Sequence, residues 1–86
     1  MRSFDFTITD EVGIDANPAV SIGKLAKEFP DSVVVLRNGD KEAQATMLMA
    51  LIDLCVKCGD RITVEVKGGD EEQTANAFEA FFKENL

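Results

Sequence analysis

Two stretches of this chain bring together residue types that can do chemistry. The first is acidic: Asp10, Glu11 and Asp15 lie just ahead of Asn17-Pro18, a pair suited to opening a helix. Carboxylates in that position can cap the helix by accepting its unpaired N–H groups, or simply stay hydrated. Oxygen ligands also suit Mg²⁺, but the spacing of these three is not diagnostic of a metal site. The second stretch is Cys55-Val56-Lys57-Cys58, which has the C-x-x-C spacing of redox motifs. Such a pair is activated where a helix begins, because the positive end of the dipole favours the thiolate; here it falls where a helix ends. Structural zinc takes four ligands, and two cysteines without any histidine cannot supply them. No metal and no cofactor is expected.

The surroundings of these residues narrow the classes of function. Nine basic against sixteen acidic residues give a net charge of −7, a field that repels nucleic-acid phosphates and anionic membranes. Trp and Tyr are absent, which also disfavours a base-stacking surface. With 45% hydrophobic residues in 86, the chain has the material for one modest core, and 1–86 reads as a single domain. No apolar run reaches the length of a membrane span and no signal-peptide pattern follows Met1, so a cytoplasmic protein is expected.

The elements that must position the candidate residues follow from periodicity. Ser3–Thr9 alternates, with Phe4, Phe6 and Ile8 on one face, as a half-buried strand does. After a loop holding Gly13, a first helix starts at Asn17-Pro18 or, with Asp15 as cap, slightly earlier; Ala19, Ile22, Ala26 and Phe29 form its apolar stripe. Val33–Leu36 is a β-branched run ending at Asn38-Gly39, a pair suited to the two positive-φ positions of a type I′ hairpin turn, with a return strand from Lys41 to Ala45. Thr46 is placed to cap a second helix from Met47 to about Val56, nearly apolar throughout. Arg61–Lys67 alternates as a fourth strand. Asp70 with Gln73 resembles a capping box ahead of a third helix bearing Ala75, Phe78, Phe81 and Phe82. The order β-α-β-β-α-β-α implies the α+β class: an open-faced β-sandwich, a four-stranded antiparallel sheet with three helices on one face.

That order, the length, and the string Gly13-Ile14-Asp15-Ala16-Asn17-Pro18-Ala19 resemble the HPr phosphocarriers of the bacterial sugar phosphotransferase system. Their motif, Gly-Leu/Ile-His-x-Arg-Pro-Ala at the start of the first helix, is matched at Gly13, Ile14, Pro18 and Ala19. The resemblance covers the whole chain, including the Asn38-Gly39 hairpin and Gly59 before the fourth strand. Asp15, however, stands where the resemblance implies the phosphorylated histidine, and Asn17 where it implies the phosphate-contacting arginine. With one residue added after the hairpin, the position of the family's regulatory serine falls on Met47, next to Thr46. The resemblance also implies a docking surface for enzyme I and other HPr-binding proteins, which here comprises Ala16, Val20, Leu48, Met49 and Ile52, flanked by Lys24 and Lys27.

Three functional readings follow. The first is a binding module, not an enzyme, that keeps the fold and docking surface but not the histidine chemistry, and that regulates or competes with true HPr. A helix shows only one face to a sheet, so a nearly all-apolar second helix leaves apolar side chains exposed for a partner, or for a homodimer. The second is a phosphocarrier that uses Asp15 as an acyl phosphate. The helix amides favour it, while the missing arginine and the negative charge of Asp10 and Glu11 oppose it. The third is a thiol-redox protein acting through Cys55 and Cys58.

Overall fold

The computed structural model describes residues 1–86. Its elements are β1 (Arg2–Thr7), α1 (Ala16–Lys27), β2 (Val33–Asn38), β3 (Lys41–Gln44), α2 (Leu48–Asp53), β4 (Arg61–Lys67) and α3 (Glu71–Asn85). The strands form one antiparallel sheet in the order β1-β4-β2-β3, the α+β open-faced sandwich expected from the pattern. The register puts Phe4 and Leu36 on either side of Val64, and Val34 opposite Val66. Val34, Leu36, Val64 and Val66 meet Ile22 of α1, Leu51 of α2 and Phe78 and Phe82 of α3 in a core of 18 buried apolar residues, against which half-buried Phe4 packs. Phe82 stands edge-on to Phe4 and Phe6, with ring centroids 6.1 and 5.6 Å away. The alternate strand positions face solvent: Asp5 lies beside Thr63, and Arg37, opposite Glu42 and Thr63, pairs its guanidinium with Glu42 and Glu65.

Several local expectations are corrected. The first strand stops at Thr7, because Ile8 exchanges its backbone bonds with Gly59 and Asp60 of a loop. At the hairpin Asn38 pairs with Lys41, so the turn residues are Gly39 and Asp40, and Gly39 alone has positive φ, +65°. That is the glycine-first pattern of a type II′ turn rather than type I′. The second helix covers only Leu48–Asp53; Met47, not Thr46, occupies its N-cap position, with no side-chain cap bond. It ends early because Cys55 turns left-handed at φ +55°. That turn lets buried Val56 leave the helix, and its carbonyl accepts the Ile14 N–H at 3.2 Å. A tertiary contact thus overrides an apolar run with good helix propensity. In α3 the Asp70 carboxylate does accept from the Gln73 N–H at 3.1 Å, as the capping pattern implies.

Candidate functional site

The acidic loop ahead of α1 is built from its backbone outward. Asp10 folds over its own chain, its Oδ2 accepting the N–H groups of Val12 at 3.1 Å and Gly13 at 3.2 Å. The N–H groups of Thr9 and Asp10 and the Thr9 hydroxyl all donate to the carbonyl of Leu86. Gly13 sits at φ +81°, where a Cβ would come within 2.1 Å of the Val56 carbonyl oxygen, so only glycine fits. Ile14 is buried and anchored to that same carbonyl. The chain therefore reaches Asp15 along a tightly specified path.

Asp15 itself is extended (φ −104°, ψ −160°) and exposed, and it occupies the N-cap position of α1, with its backbone carbonyl accepting from Ala19 N–H at 3.1 Å. Its carboxylate makes no cap hydrogen bond. The expectation of a side-chain cap is thus corrected: the position is right, the bond is not made. Pro18 has no N–H to offer, and the amides of Ala16 and Asn17 have no acceptor within the chain. A free carboxylate and two free amides are therefore presented together at the start of a twelve-residue helix. Asn17 is exposed beside them and brings no guanidinium. Asp10, Glu11 and Asp15 do not converge on a metal-holding cluster, since Asp10 is committed to its own loop.

Of the residues expected to dock a partner, Val20 and Leu48 line one groove between α1 and α2, whereas Ala16, Met49 and Ile52 do not line it. Val20 and Leu48 are each 41% exposed, Met49 65% and Met47 56%, whereas Leu51 of the same helix is fully buried. Ala16 is exposed and Ile52 half-buried. A shallow groove of about 200 Å³ runs between the helices, lined by Ala19, Val20, Gly23, Lys24, Lys27, Thr46 and Leu48. Thr46 therefore faces the two lysines of α1 rather than capping α2. Val12, 58% exposed in the acidic loop, is a further apolar surface residue that periodicity had no means to single out. Gly23 also lines the groove, and no local sequence pattern marks it, because its part there is the absence of a side chain.

Cys55 and Cys58 are both exposed and unpaired, just past the C-terminal end of α2. The Cys58 Sγ lies 3.7 Å from the Thr9 carbonyl oxygen. What neither charge nor motif revealed is the network beneath them. Asn38 donates to the Leu54 carbonyl at 3.0 Å and to Asp60 Oδ2 at 3.3 Å, and Asp60 Oδ2 also accepts from Lys57 N–H at 3.0 Å.

With this geometry in place, known proteins supply a close match. Residues 2–84 match the family described as the PTS HPr component phosphorylation site. The chain is 31% identical over 77 residues to phosphocarrier protein HPr of Mycoplasma capricolum, covering 90% of this chain and 85% of that protein. It is 38% identical over 76 residues to phosphocarrier protein NPr of Escherichia coli, covering 87% and 83%. The solved structure of the mycoplasma histidine-containing phosphocarrier protein superposes with a TM-score of 0.90 at 28% identity, over 96% of this chain and 93% of that one. A motif-bearing helix start, an open-faced sandwich and a family match over nearly every residue agree, and the chain belongs to the HPr family of the phosphotransferase system.

Proposed function

We propose that this HPr-family chain acts, as one unit over residues 1–86, by docking to proteins that bind HPr, enzyme I foremost, and that it regulates or competes with HPr rather than relaying phosphate through a histidine. The observation that carries this reading is a pairing of loss and retention. The chain has no imidazole at all, while Val20, Leu48 and Met49 remain exposed where α1 meets α2. Apolar side chains left uncovered on neighbouring helices are costly in water unless a partner covers them. Methionines suit such a surface because their flexible side chains adapt to differing partners. Lys24 and Lys27 line the groove and would pair locally with acidic side chains on a partner's contact patch, against the overall repulsion from a net charge of −7. The setting that fits these partners is the cytoplasm; no helix is long and apolar enough to cross a membrane.

A second reading is favoured by one observation: the Asp15 carboxylate is exposed and unbonded beside two free helix amides. Such a group could attack a phosphoryl donor and hold the product as an acyl phosphate, with the amides taking part of the charge. It lacks the cation that would complete the site. One experiment separates the two. The chain is mixed with enzyme I and phosphoenolpyruvate in a buffer that preserves acyl phosphates, and its intact mass is followed alongside the phosphorylation of a genuine HPr. Docking without transfer predicts slower HPr phosphorylation and an unchanged mass for this chain. A labile mass increase of one phosphoryl group, abolished in Asp15→Asn, would instead establish the relay.

A further inference from the structure

The two halves of the docking surface are carried by different parts of the chain: the start of α1 follows the acidic loop, and α2 precedes the segment 54–60. These parts meet in that segment. Its Val56 carbonyl accepts the Ile14 N–H and abuts Gly13, so the segment sets where α1 begins. Its first residue, Leu54, is the C-cap of α2, so the same segment also sets where α2 ends. We infer that Asn38 and Asp60 are positioning residues for the docking surface, a polar pair that locks segment 54–60 and thereby fixes the start of α1 relative to α2.

The atoms support this role closely. The single Asn38 side-chain nitrogen uses both of its hydrogens, one on the Leu54 carbonyl and one on Asp60 Oδ2. The first of these bonds satisfies a carbonyl that a helix end otherwise leaves unpaired. Asp60 then binds the segment to itself and to the chain before the acidic loop. Its Oδ2 accepts from Lys57 N–H, its N–H donates to the Lys57 carbonyl at 3.0 Å, and its carbonyl accepts from Ile8 N–H at 2.9 Å. Gly59 N–H returns a bond to the Ile8 carbonyl at 2.8 Å. The segment needs such a lock because Cys55 holds a left-handed conformation without being glycine, a state that persists only where its surroundings overdetermine it. Asn38 and Asp60 are both half-buried, and neither lines the groove. They act on the surface through the backbone alone.

The inference rests on the docking reading only for its affinity readout, and the free protein tests it independently. In Asn38→Ala, exchange of the Ile14 amide should quicken by about tenfold while that of Val64, in the middle of β4, stays as in the native chain. Enzyme I affinity should fall in step with that change, although no contact residue has been altered. Asn38→Asp places a carboxylate against Asp60, so its effect should exceed that of alanine at neutral pH and lessen in mild acid, where a protonated carboxyl can donate again. Asn38→Asp combined with Asp60→Asn reverses donor and acceptor and should restore part of the Ile14 protection. If Ile14 keeps native protection in Asn38→Ala, or loses it only in proportion to Val64, the inference is overturned. If Ile14 opens locally but enzyme I never binds, the positioning role stands and the docking reading fails.

Discussion

At the scale of single residues, Gly13 and Asp15 show how differently two neighbours can bear on function. Gly13 is a constraint of space: with φ at +81° and a backbone carbonyl 2.1 Å from where a Cβ would be, Gly13→Ala must displace segment 54–60 or the acidic loop. A loss of about 2–4 kcal/mol is expected, read by chemical denaturation, and a loss under about 0.5 kcal/mol would mean that the loop is far more pliant than this contact implies. Asp15 is a matter of chemistry, since an exposed carboxylate and an imidazole at the same helix start differ in what they can accept without requiring a different backbone. Asp15→His together with Asn17→Arg should therefore restore a nucleophile and a cation beside the free amides of Ala16 and Asn17, and allow phosphorylation by enzyme I and phosphoenolpyruvate. Failure of the double variant to gain a phosphoryl group would place the defect elsewhere than in these two side chains. That Asp15 stands at the start of α1 was legible in the sequence, because Asn17-Pro18 suits the first turn of a helix. That the carboxylate leaves its cap bond unmade was not, because residue type does not determine which way an exposed side chain turns.

At the scale of elements, the two aspartates at helix starts form a natural comparison. The Asp70 carboxylate accepts the Gln73 N–H, whereas the Asp15 carboxylate accepts no helix amide. Asp70→Ala should cost about 1 kcal/mol of stability and Asp15→Ala less than about 0.5 kcal/mol, because only the first loses a hydrogen bond. Equal losses would show that the carboxylates act through the helix dipole alone. The far end of α2 supplies another comparison. Cys55 adopts a backbone conformation that costs a residue with a side chain about 1–2 kcal/mol, and glycine would relieve that cost at the expense of a more flexible unfolded chain. Cys55→Gly is expected to be neutral or to raise stability by up to about 1 kcal/mol, measured by the denaturation midpoint; a clear loss would mean that the thiol makes a contact that matters. Element types were legible because alternation and 3.6-residue spacing are local properties. The end of α2 was not, since it depends on Val56 pairing with Ile14, forty-two positions earlier in the chain, a contact invisible to any window of sequence. The surface on α2 was foreseeable in kind, from an excess of apolar residues over what one helix face can bury, but which of them stay out is decided by how α1 crosses it.

At the scale of the whole molecule, the sandwich divides into a dry side and a wet one. Helices cover one face of the sheet, and the other carries charges in deliberate pairs. The Thr63 hydroxyl, at 2.7 Å, and then the Arg61 guanidinium hold the carboxyl of Asp5 below its ordinary 3.8. Glu65 at 2.8 Å, with Glu42 on its other side, favours the charged form of Arg37 and raises it further above its usual range. Where β4 gives way to α3, the Gly68 N–H at 2.7 Å and the amino group of Met1 at 3.0 Å hold Glu71 below its ordinary 4.5. These groups lie away from the groove, so their charge serves the fold, and pH should reveal it. A carboxylate whose folded value is depressed stabilises the protein above its unfolded value, and that contribution drains away as the pH falls through the folded one. Both contributions are therefore complete at neutral pH, start to fail near 4.5 for Glu71 and near 3.8 for Asp5, and are gone once each group is protonated in the folded state as well. All of these groups are solvent-facing, so each effect is modest and weakened by salt. The double variant Asp5→Asn, Glu71→Gln should be less stable than the native chain at neutral pH, by an amount that shrinks as the pH falls below 4.5 and then 3.8 and vanishes once both groups are protonated in the folded state. Urea denaturation of both proteins across that range measures the gap directly. A gap that stays constant, or widens in acid, would show that the two carboxylates stabilise the sheet by shape and not by charge.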